Sequence, residues 1–148
     1  MHLKEMMSTN NKNIKVGFTC SCFDLLHAGH ILMLKDAKAQ CDKLIVGLQT
    51  DPTLDRPEKN KPIQTYEERY IQLEAVKYVD EIVQYDTEND LYLLLYEMMP
   101  DVRILGTDYE GKYFTGIDLH IPIHFHKRNH DYSTTRLRQQ IADIEKIK

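Results

Sequence analysis

The sequence predicts an α/β fold: a single Rossmann-like, doubly wound parallel sheet of about five strands with flanking helices. Three observations predict it. Strand-like and helix-like segments alternate in the order β-α-β-α-β-α-β-β-α with mostly short connections, the pattern of a parallel sheet wrapped by helices. Residues 44–48 form an uninterrupted apolar run, as expected of a strand covered on both faces. The chain has 148 residues, the size of one ordinary domain and enough to bury a core without disulfide or metal staples.

Residues 1–13 are polar and lack the apolar stretch of a signal peptide; they read as a disordered tail ahead of a domain over 14–148. Residues 14–20 read as the first strand, with Val16 and Phe18 pointing inward. A loop carrying Phe23, Asp24, Leu25 and Leu26 leads into a helix over 29–41, where Ile31, Leu34, Ala37 and Lys38 recur at helical spacing. The second strand follows at 44–48. Residues 50–65 make a polar loop with three prolines, and a loop of that length in a compact domain points to function. Thr65 and Glu68 have capping-box spacing for a helix to about residue 77 that buries Tyr70, Leu73 and Val76. A short strand at 81–84, an apolar helix at 89–99 stopped by Pro100, and a strand at 102–105 closing on Gly106 come next. A loop over 107–119, a fifth strand at 121–125, and a last helix capped by Ser133 and running to about 147 complete the order. Sheets of this class bind ligands at the carboxyl ends of their strands, and both long loops leave such ends.

The bulk properties narrow the function. A net charge of −4 argues against a protein that coats nucleic acid. Three cysteines, an odd number, suit reduced thiols in the cytoplasm. No apolar run approaches the roughly 20 residues of a membrane span.

The first chemical signal is His27-Ala28-Gly29-His30, placed where a strand gives way to a helix. A helix N-terminus offers free backbone N–H groups and partial positive charge, and so attracts phosphate. Gly29 lacks a Cβ and lets the backbone be approached closely. His27 and His30, three apart, share one face of the first turn and can both donate to one phosphoryl group. Two ordinary histidines are the plainer reading, and a zinc site fits poorly because paired helical ligands more often sit four apart. Cys20-x-Cys22 without a second pair is equally weak as a zinc signature.

The run from Cys22 and Phe23 through Ala28, Gly29 and His30 resembles the signature of the cytidylyltransferase-like nucleotidyltransferases, most of all their glycerol-3-phosphate cytidylyltransferase members. The resemblance covers about residues 14 to 141. It implies that His27 and His30 contact the triphosphate and stabilise the α-phosphoryl group, that Cys22, Phe23, Ala28 and Gly29 line the nucleotide site, and that the protein is a homodimer. Ser21 departs from the pattern, standing where the family usually carries glycine.

A second anion-binding helix start is legible at residues 128–135. Arg128 offers a bidentate fork, and Ser133 and Thr134 add hydroxyls to the helix N-terminus; simple N-capping by Ser133 is the alternative. The family's Arg-Thr-x-Gly-Ile-Ser-Thr-Thr segment matches here at Arg128 and at Ser133 to Thr135, with Asn129 and Asp131 in place of Thr and Gly. Lys59 and Lys61, on the long loop, could close over the β- and γ-phosphates or simply be solvated; the resemblance favours Lys59. Arg69 either anchors that loop, meets substrate phosphate or joins a surface ion pair. Asp108, after the fourth strand, could accept from the nucleoside or stabilise a turn. His124 and His126 alternate on a strand and share a face; with His120 and His130 they suggest a pocket for an acceptor phosphate, plain surface, or less well a metal site. The glycerol phosphate enzymes carry an acceptor-binding lysine before the third helix, and residues 78–111 contain none.

Together these features predict a nucleotidyltransferase. An oxygen of a small phosphorylated alcohol attacks the α-phosphorus of CTP, and pyrophosphate leaves. Lys59 and Arg128 neutralise the leaving group, Ser133 and Thr134 hold it, and Lys61 and Arg69 meet the acceptor. Mg²⁺ arrives with the nucleotide and keeps most of its waters, so no protein metal ligands are assigned. An ATP-using adenylyltransferase and a non-catalytic nucleotide sensor are the alternatives.

Overall fold

In the computed structural model, which describes residues 13–148, the apolar run at 44–48 sorts by strand alternation onto two faces of one sheet. Leu44, Val46 and Leu48 join a core with Leu34, Ala37, Leu73, Val102 and Ile104. Ile45 points the other way, into a core with Val16, Phe18, Tyr85, Leu91, Leu95, Met98 and Ile121. Burial on both sides is what removes polar alternation from this strand. The tail expected over 1–13 lies, except for Asn13, outside the described residues.

The strands are β1 (Val16–Ser21), β2 (Lys43–Gln49), β3 (Glu81–Tyr85), β4 (Val102–Gly106) and β5 (Ile123–His126). They form a sheet in the order β3-β2-β1-β4-β5, every neighbouring pair parallel. The helices are α1 (Ala28–Ala39), α2 (Tyr66–Glu74), α3 (Glu88–Met98) and α4 (Thr134–Ile147). The doubly wound parallel fold read from the sequence is the fold observed. The chain moves outward from β1 to β2 and β3, then returns to the other side of β1 with β4. That reversal places the switch point between β1 and β4, where ligands are expected beyond the carboxyl ends.

Boundaries differ from the sequence reading in two instructive places. Helix α2 starts at its expected capping box, with Thr65 Oγ1 accepting from Glu68 N and the Glu68 carboxylate accepting from Thr65 N, but it ends at Glu74 rather than near 77. Its buried residues are Arg69 and Leu73, with Tyr70 and Val76 only half-buried. Strand β5 begins two residues late because Pro122 has no N–H for the ladder; its carbonyl still accepts from Arg103 N at 2.8 Å.

Of the readings open for Arg69, the structure places it as the loop anchor and not at an exposed acceptor site. It is 1% exposed. Its guanidinium donates to the carbonyls of Cys22 (2.9 Å), Gln49 (2.6 Å), Thr50 (2.6 Å) and Gln64 (3.2 Å). The planar fork thereby ties the ends of β1 and β2 to both ends of the 50–65 loop. A second latch reinforces it. The Asp24 carboxylate accepts from Ile63 N and Gln64 N, and the Gln64 side chain accepts from Leu25 N. Phe23 and Leu25 take left-handed backbone, φ 50° and 51°, a costly conformation for such residues that these bonds hold in place.

Replacing Arg69 with Met should strand four carbonyls that are buried or partly buried and cost about 3 kcal/mol or more in urea denaturation. Arg69→Lys should recover less than half of that loss, since an ammonium cannot reproduce the fork.

Candidate functional site

Helix α1 begins with an unusual capping box made of two imidazoles. His27, the N-cap residue, accepts from Gly29 N through Nδ1 at 3.0 Å. His30 accepts from His27 N through its own Nδ1 at 3.2 Å. The rings stack with centroids 3.9 Å apart. Because each Nδ1 acts as an acceptor, each neutral ring must carry its proton on Nε2. The backbone has therefore set both tautomers and turned both N–H donors away from the helix. His27 Nε2 lies 3.2 Å from Thr134 Oγ1, whose own hydroxyl donates to the Asp24 carbonyl; the Thr134 oxygen is thus the acceptor of the His27 proton. Gly29 is required for a local reason: a Cβ there would come within 2.9 Å of the His27 ring and 3.1 Å of the Tyr132 carbonyl.

Both histidines are held neutral. Burial, and then the neighbouring His27, push His30 down to about 3. Burial lowers His27 as well, helped by Arg128 and His130. Cys20 and Cys22 are pushed up by burial, so neither is a ready thiolate nucleophile.

A cavity of about 260 Å³ opens beside the pair. It is lined by His27, Gly29 and His30 from α1, by Gly106, Thr107 and Asp108 after β4, by His126 at the end of β5, and by Arg128, His130, Tyr132, Ser133 and Thr134 leading into α4. The two segments expected from the sequence to bind anions, distant in the chain, thus face one space. Ser133 does cap α4, its Oγ accepting from Arg136 N at 3.0 Å. Arg128 donates to the Tyr132 carbonyl and is otherwise exposed. Asp131 turns to Arg136, 2.7 Å away, which offsets its charge beside the cavity.

Other expected residues are placed differently. Phe23 is buried, with its ring 5.3 Å from the His30 ring; it backs the histidine and lines neither cavity. Ala28 is exposed on the outer side of the first turn. Lys61 is also exposed and lies 3.9 Å from Asp51. Lys59 and Cys22 line a second cavity of about 740 Å³, together with Gln49, Arg56, Tyr85, Glu88 and Arg103. The two cavities share Met33 and Gly106 and so adjoin over the switch point.

Sequence reasoning missed Asp24 as the latch between the signature loop and the 50–65 loop, and Asp36 as the partner of the strand histidines. Asp36 Oδ2 lies 3.0 Å from His124 Nε2 and 2.8 Å from His126 Nδ1. Burial pushes the Asp36 carboxyl up, but the two imidazole hydrogen bonds outweigh it and hold it below its ordinary value. The alternation of His124 and His126 was visible; the facing carboxylate on α1 was not. Among the described residues, no three His, Cys, Asp or Glu side chains gather into a group that would hold a metal ion, and no helix is long and apolar enough to cross a membrane.

Comparison with known proteins identifies the family of the chain. Residues 18–140 match the model of the family described as cytidylyltransferase-like. The bifunctional protein HldE of Campylobacter concisus is 35% identical over 144 residues, covering 97% of this chain and 30% of that protein. HldE of Caulobacter vibrioides is 40% identical over 109 residues, covering 73% of this chain and 22% of that protein. The chain thus spans less than a third of the length of these curated relatives. Among solved structures, a lipopolysaccharide core biosynthesis protein from Thermoplasma volcanium aligns with TM-score 0.63 at 27% identity, covering 82% of this chain and all of that one. A pantoate-beta-alanine ligase from Francisella tularensis shares the fold, with TM-score 0.59 at 20% identity over 96% of this chain and 72% of that one.

The depressed His30 carries a pH signature. Between about 3 and the ordinary value of 6.5, the unfolded chain binds a proton at this site that the folded chain refuses. The stability is present in full above 6.5 and is lost as pH falls through that window. Thermal denaturation across pH 3–7 should show wild type losing more stability on acidification than His30→Asn, whose amide oxygen can still cap His27 N.

Proposed function

The chain belongs to the cytidylyltransferase-like family, and from that premise we propose that it transfers an adenylyl group from ATP to the phosphate of a small phosphorylated sugar, releasing pyrophosphate. The observation that carries this reading is the pair of adjoining cavities over the switch point. One is fringed by two fixed imidazole donors and a helix N-terminus, which suits a triphosphate. The other is lined by Arg56, Lys59 and Arg103 beside Gln49, Tyr85 and Glu88, which suits a phosphorylated polyol. Transfer between two substrates needs such a junction, and a sensor does not.

The choice of ATP rests on relatedness. The relatives reported above are bifunctional HldE proteins, and the narrower likeness to glycerol-3-phosphate cytidylyltransferases gives way to them. The missing lysine between residues 78 and 111 points the same way. A chain aligned to 30% of a bifunctional protein corresponds to one of its two activities, and here that is the nucleotidyl transfer. The sugar phosphate is supported by the likeness to the lipopolysaccharide core biosynthesis protein.

The acceptor phosphate oxygen attacks the α-phosphorus in line; the new O–P bond forms as the bond to the pyrophosphate oxygen breaks. No covalent enzyme intermediate is needed, because positioning and charge stabilisation supply the catalysis. His30 donates Nε2–H to an α-phosphoryl oxygen, and His27 does the same once its Nε2–H leaves Thr134 Oγ1 on substrate binding. Both are neutral and already in the required tautomer when charge develops. Arg128, Ser133, Thr134 and the start of α4 receive the leaving pyrophosphate, which departs with the Mg²⁺ it brought. Asp108, after β4, accepts from the nucleoside. Lys59, expected on the pyrophosphate, is assigned instead to the acceptor cavity with Arg56.

The test is pyrophosphate release with Mg²⁺, crossing ATP, CTP, GTP and UTP against sugar and polyol phosphates. Release is expected with ATP and a sugar phosphate. Release with CTP and glycerol 3-phosphate would return the chain to the cytidylyltransferase branch, and nucleotide binding without turnover on any acceptor would favour the sensor. In the active pairing, His27→Ala and His30→Ala should each lower kcat by about 10²–10³-fold. Nucleotide affinity should fall less than tenfold; equal losses in both would reduce the pair to ground-state binding.

A further inference from the structure

Two histidines lining the smaller cavity, His126 and His130, each keep a buried Nε2 that lacks any hydrogen-bond partner among the described residues. Neither histidine belongs to the signature turn. Their second nitrogens are committed in opposite senses. His126 Nδ1 faces the Asp36 carboxylate at 2.8 Å. A carboxylate only accepts, so Nδ1 carries the proton, and in the neutral ring Nε2 is left as an acceptor. His130 Nδ1 accepts from Tyr132 N at 3.1 Å, so its neutral ring carries the proton on Nε2, which is a donor. The His130 ring is fixed further by stacking on Tyr132, centroids 4.8 Å apart.

The two rings beside the cavity therefore hold one oriented acceptor and one oriented donor, both buried and both unsatisfied. Leaving such atoms unpaired costs free energy, which a ligand group of matching pattern would recover. A phosphate oxygen matches the His130 donor but offers a neutral His126 nothing to accept. A ribose hydroxyl can donate or accept as needed, so two fixed, opposite partners would not select it. The amidine edge of an aminopurine or aminopyrimidine carries a donor, the exocyclic amine, next to an acceptor, the ring nitrogen. The register supports this placement: His126 pairs with Gly106 across β4 and β5, beside the Thr107–Asp108 turn and across the cavity from the histidine turn of α1.

We propose that His126 and His130 read the nucleobase edge, with Asp36 as the positioning residue that keeps His126 an acceptor, so that 6-amino or 4-amino bases are selected over their keto counterparts. This rests on the nucleotidyl-transfer reading and would make adenine and cytosine competent while rejecting hypoxanthine and uracil. Replacing the amine by a carbonyl reverses the pattern of the edge. With the glycosidic bond fixing how the base enters, neither hydrogen bond then survives.

The experiment is isothermal titration of the full chain with the Mg²⁺ complexes of ATP, ITP, 2′-deoxy-ATP, CTP and UTP, without acceptor. Wild type should bind ATP at least tenfold more tightly than ITP, or CTP than UTP if cytosine is the native base, and 2′-deoxy-ATP within threefold of ATP. In His126→Ala and His130→Phe the amino-to-keto ratio should fall below threefold, chiefly because the amino nucleotide weakens. Asp36→Asn should lower the same ratio, which a merely structural role would not do. The wild-type comparison needs no variant to fold. Equal binding of amino and keto nucleotides overturns the proposal while leaving nucleotidyl transfer standing. Loss with the deoxy nucleotide alone assigns the pair to ribose and also overturns it, as does discrimination that survives all three substitutions. Failure of every triphosphate to bind removes the transfer reading itself, and this inference with it.

Discussion

The structure around the site depends on one buried guanidinium. Arg69 gathers the carbonyls of Cys22, Gln49 and Thr50, at the carboxyl ends of β1 and β2 where the sheet ladder stops, and that of Gln64 at the far end of the 50–65 loop. Strand ends at a switch point carry such carbonyls by construction, because the chains diverge there to make room for ligand. A residue with several donors in one plane can satisfy them without filling the crevice. The loop over 50–65 is then held at both ends, and Lys59 and Arg56 are presented to the larger cavity from a tethered segment.

The same economy operates at the start of α1. Asking whether His27 and His30 are structural or functional turns out to be the wrong opposition. One nitrogen of each ring caps the helix, and that act settles which nitrogen carries the proton facing the cavity. Burial and the proximity of the two rings then keep them uncharged. A neutral donor beside a triphosphate gives up some ground-state attraction, but it is already oriented for the charge that develops in transfer. Gly29 serves this arrangement more directly than it serves phosphate: the space its side chain would occupy is taken by the His27 ring and the Tyr132 carbonyl.

Helix α1 links the two ends of the smaller cavity. Its first turn holds the histidine pair, and two turns later Asp36 orients His124 and His126 on β5. The phosphate end and the base end of the proposed nucleotide site are thus referenced to one rigid element. Asp24 adds a third tie, joining the signature loop to the 50–65 loop by hydrogen bonds and to Arg138 of α4 by an ion pair at 3.8 Å. Helix α4 itself buries no residue fully, so such contacts at its start matter more than its apolar face in setting where Ser133 and Thr134 lie.

By itself the sequence determined the element order, the parallel sheet and the positions of the two helix starts that face the smaller cavity, because these follow from local signals: apolar periodicity, Pro and Gly punctuation, and capping residues such as Thr65 and Ser133. The histidine turn was legible because its chemistry and its helix cap lie within four residues. What only the tertiary structure decided depends on partners far away in the chain. Arg69 looked like a candidate for phosphate until four carbonyls from three segments enclosed it, and Asp131 looked unfavourable until Arg136 paired with it. Asp36 was one more helical carboxylate until β5 placed two histidines against it, and Lys59, expected beside the pyrophosphate, lines the larger cavity instead of the smaller one. Periodicity records which face of an element is buried; the identity of the group waiting there is set by packing between elements, and no local pattern encodes it.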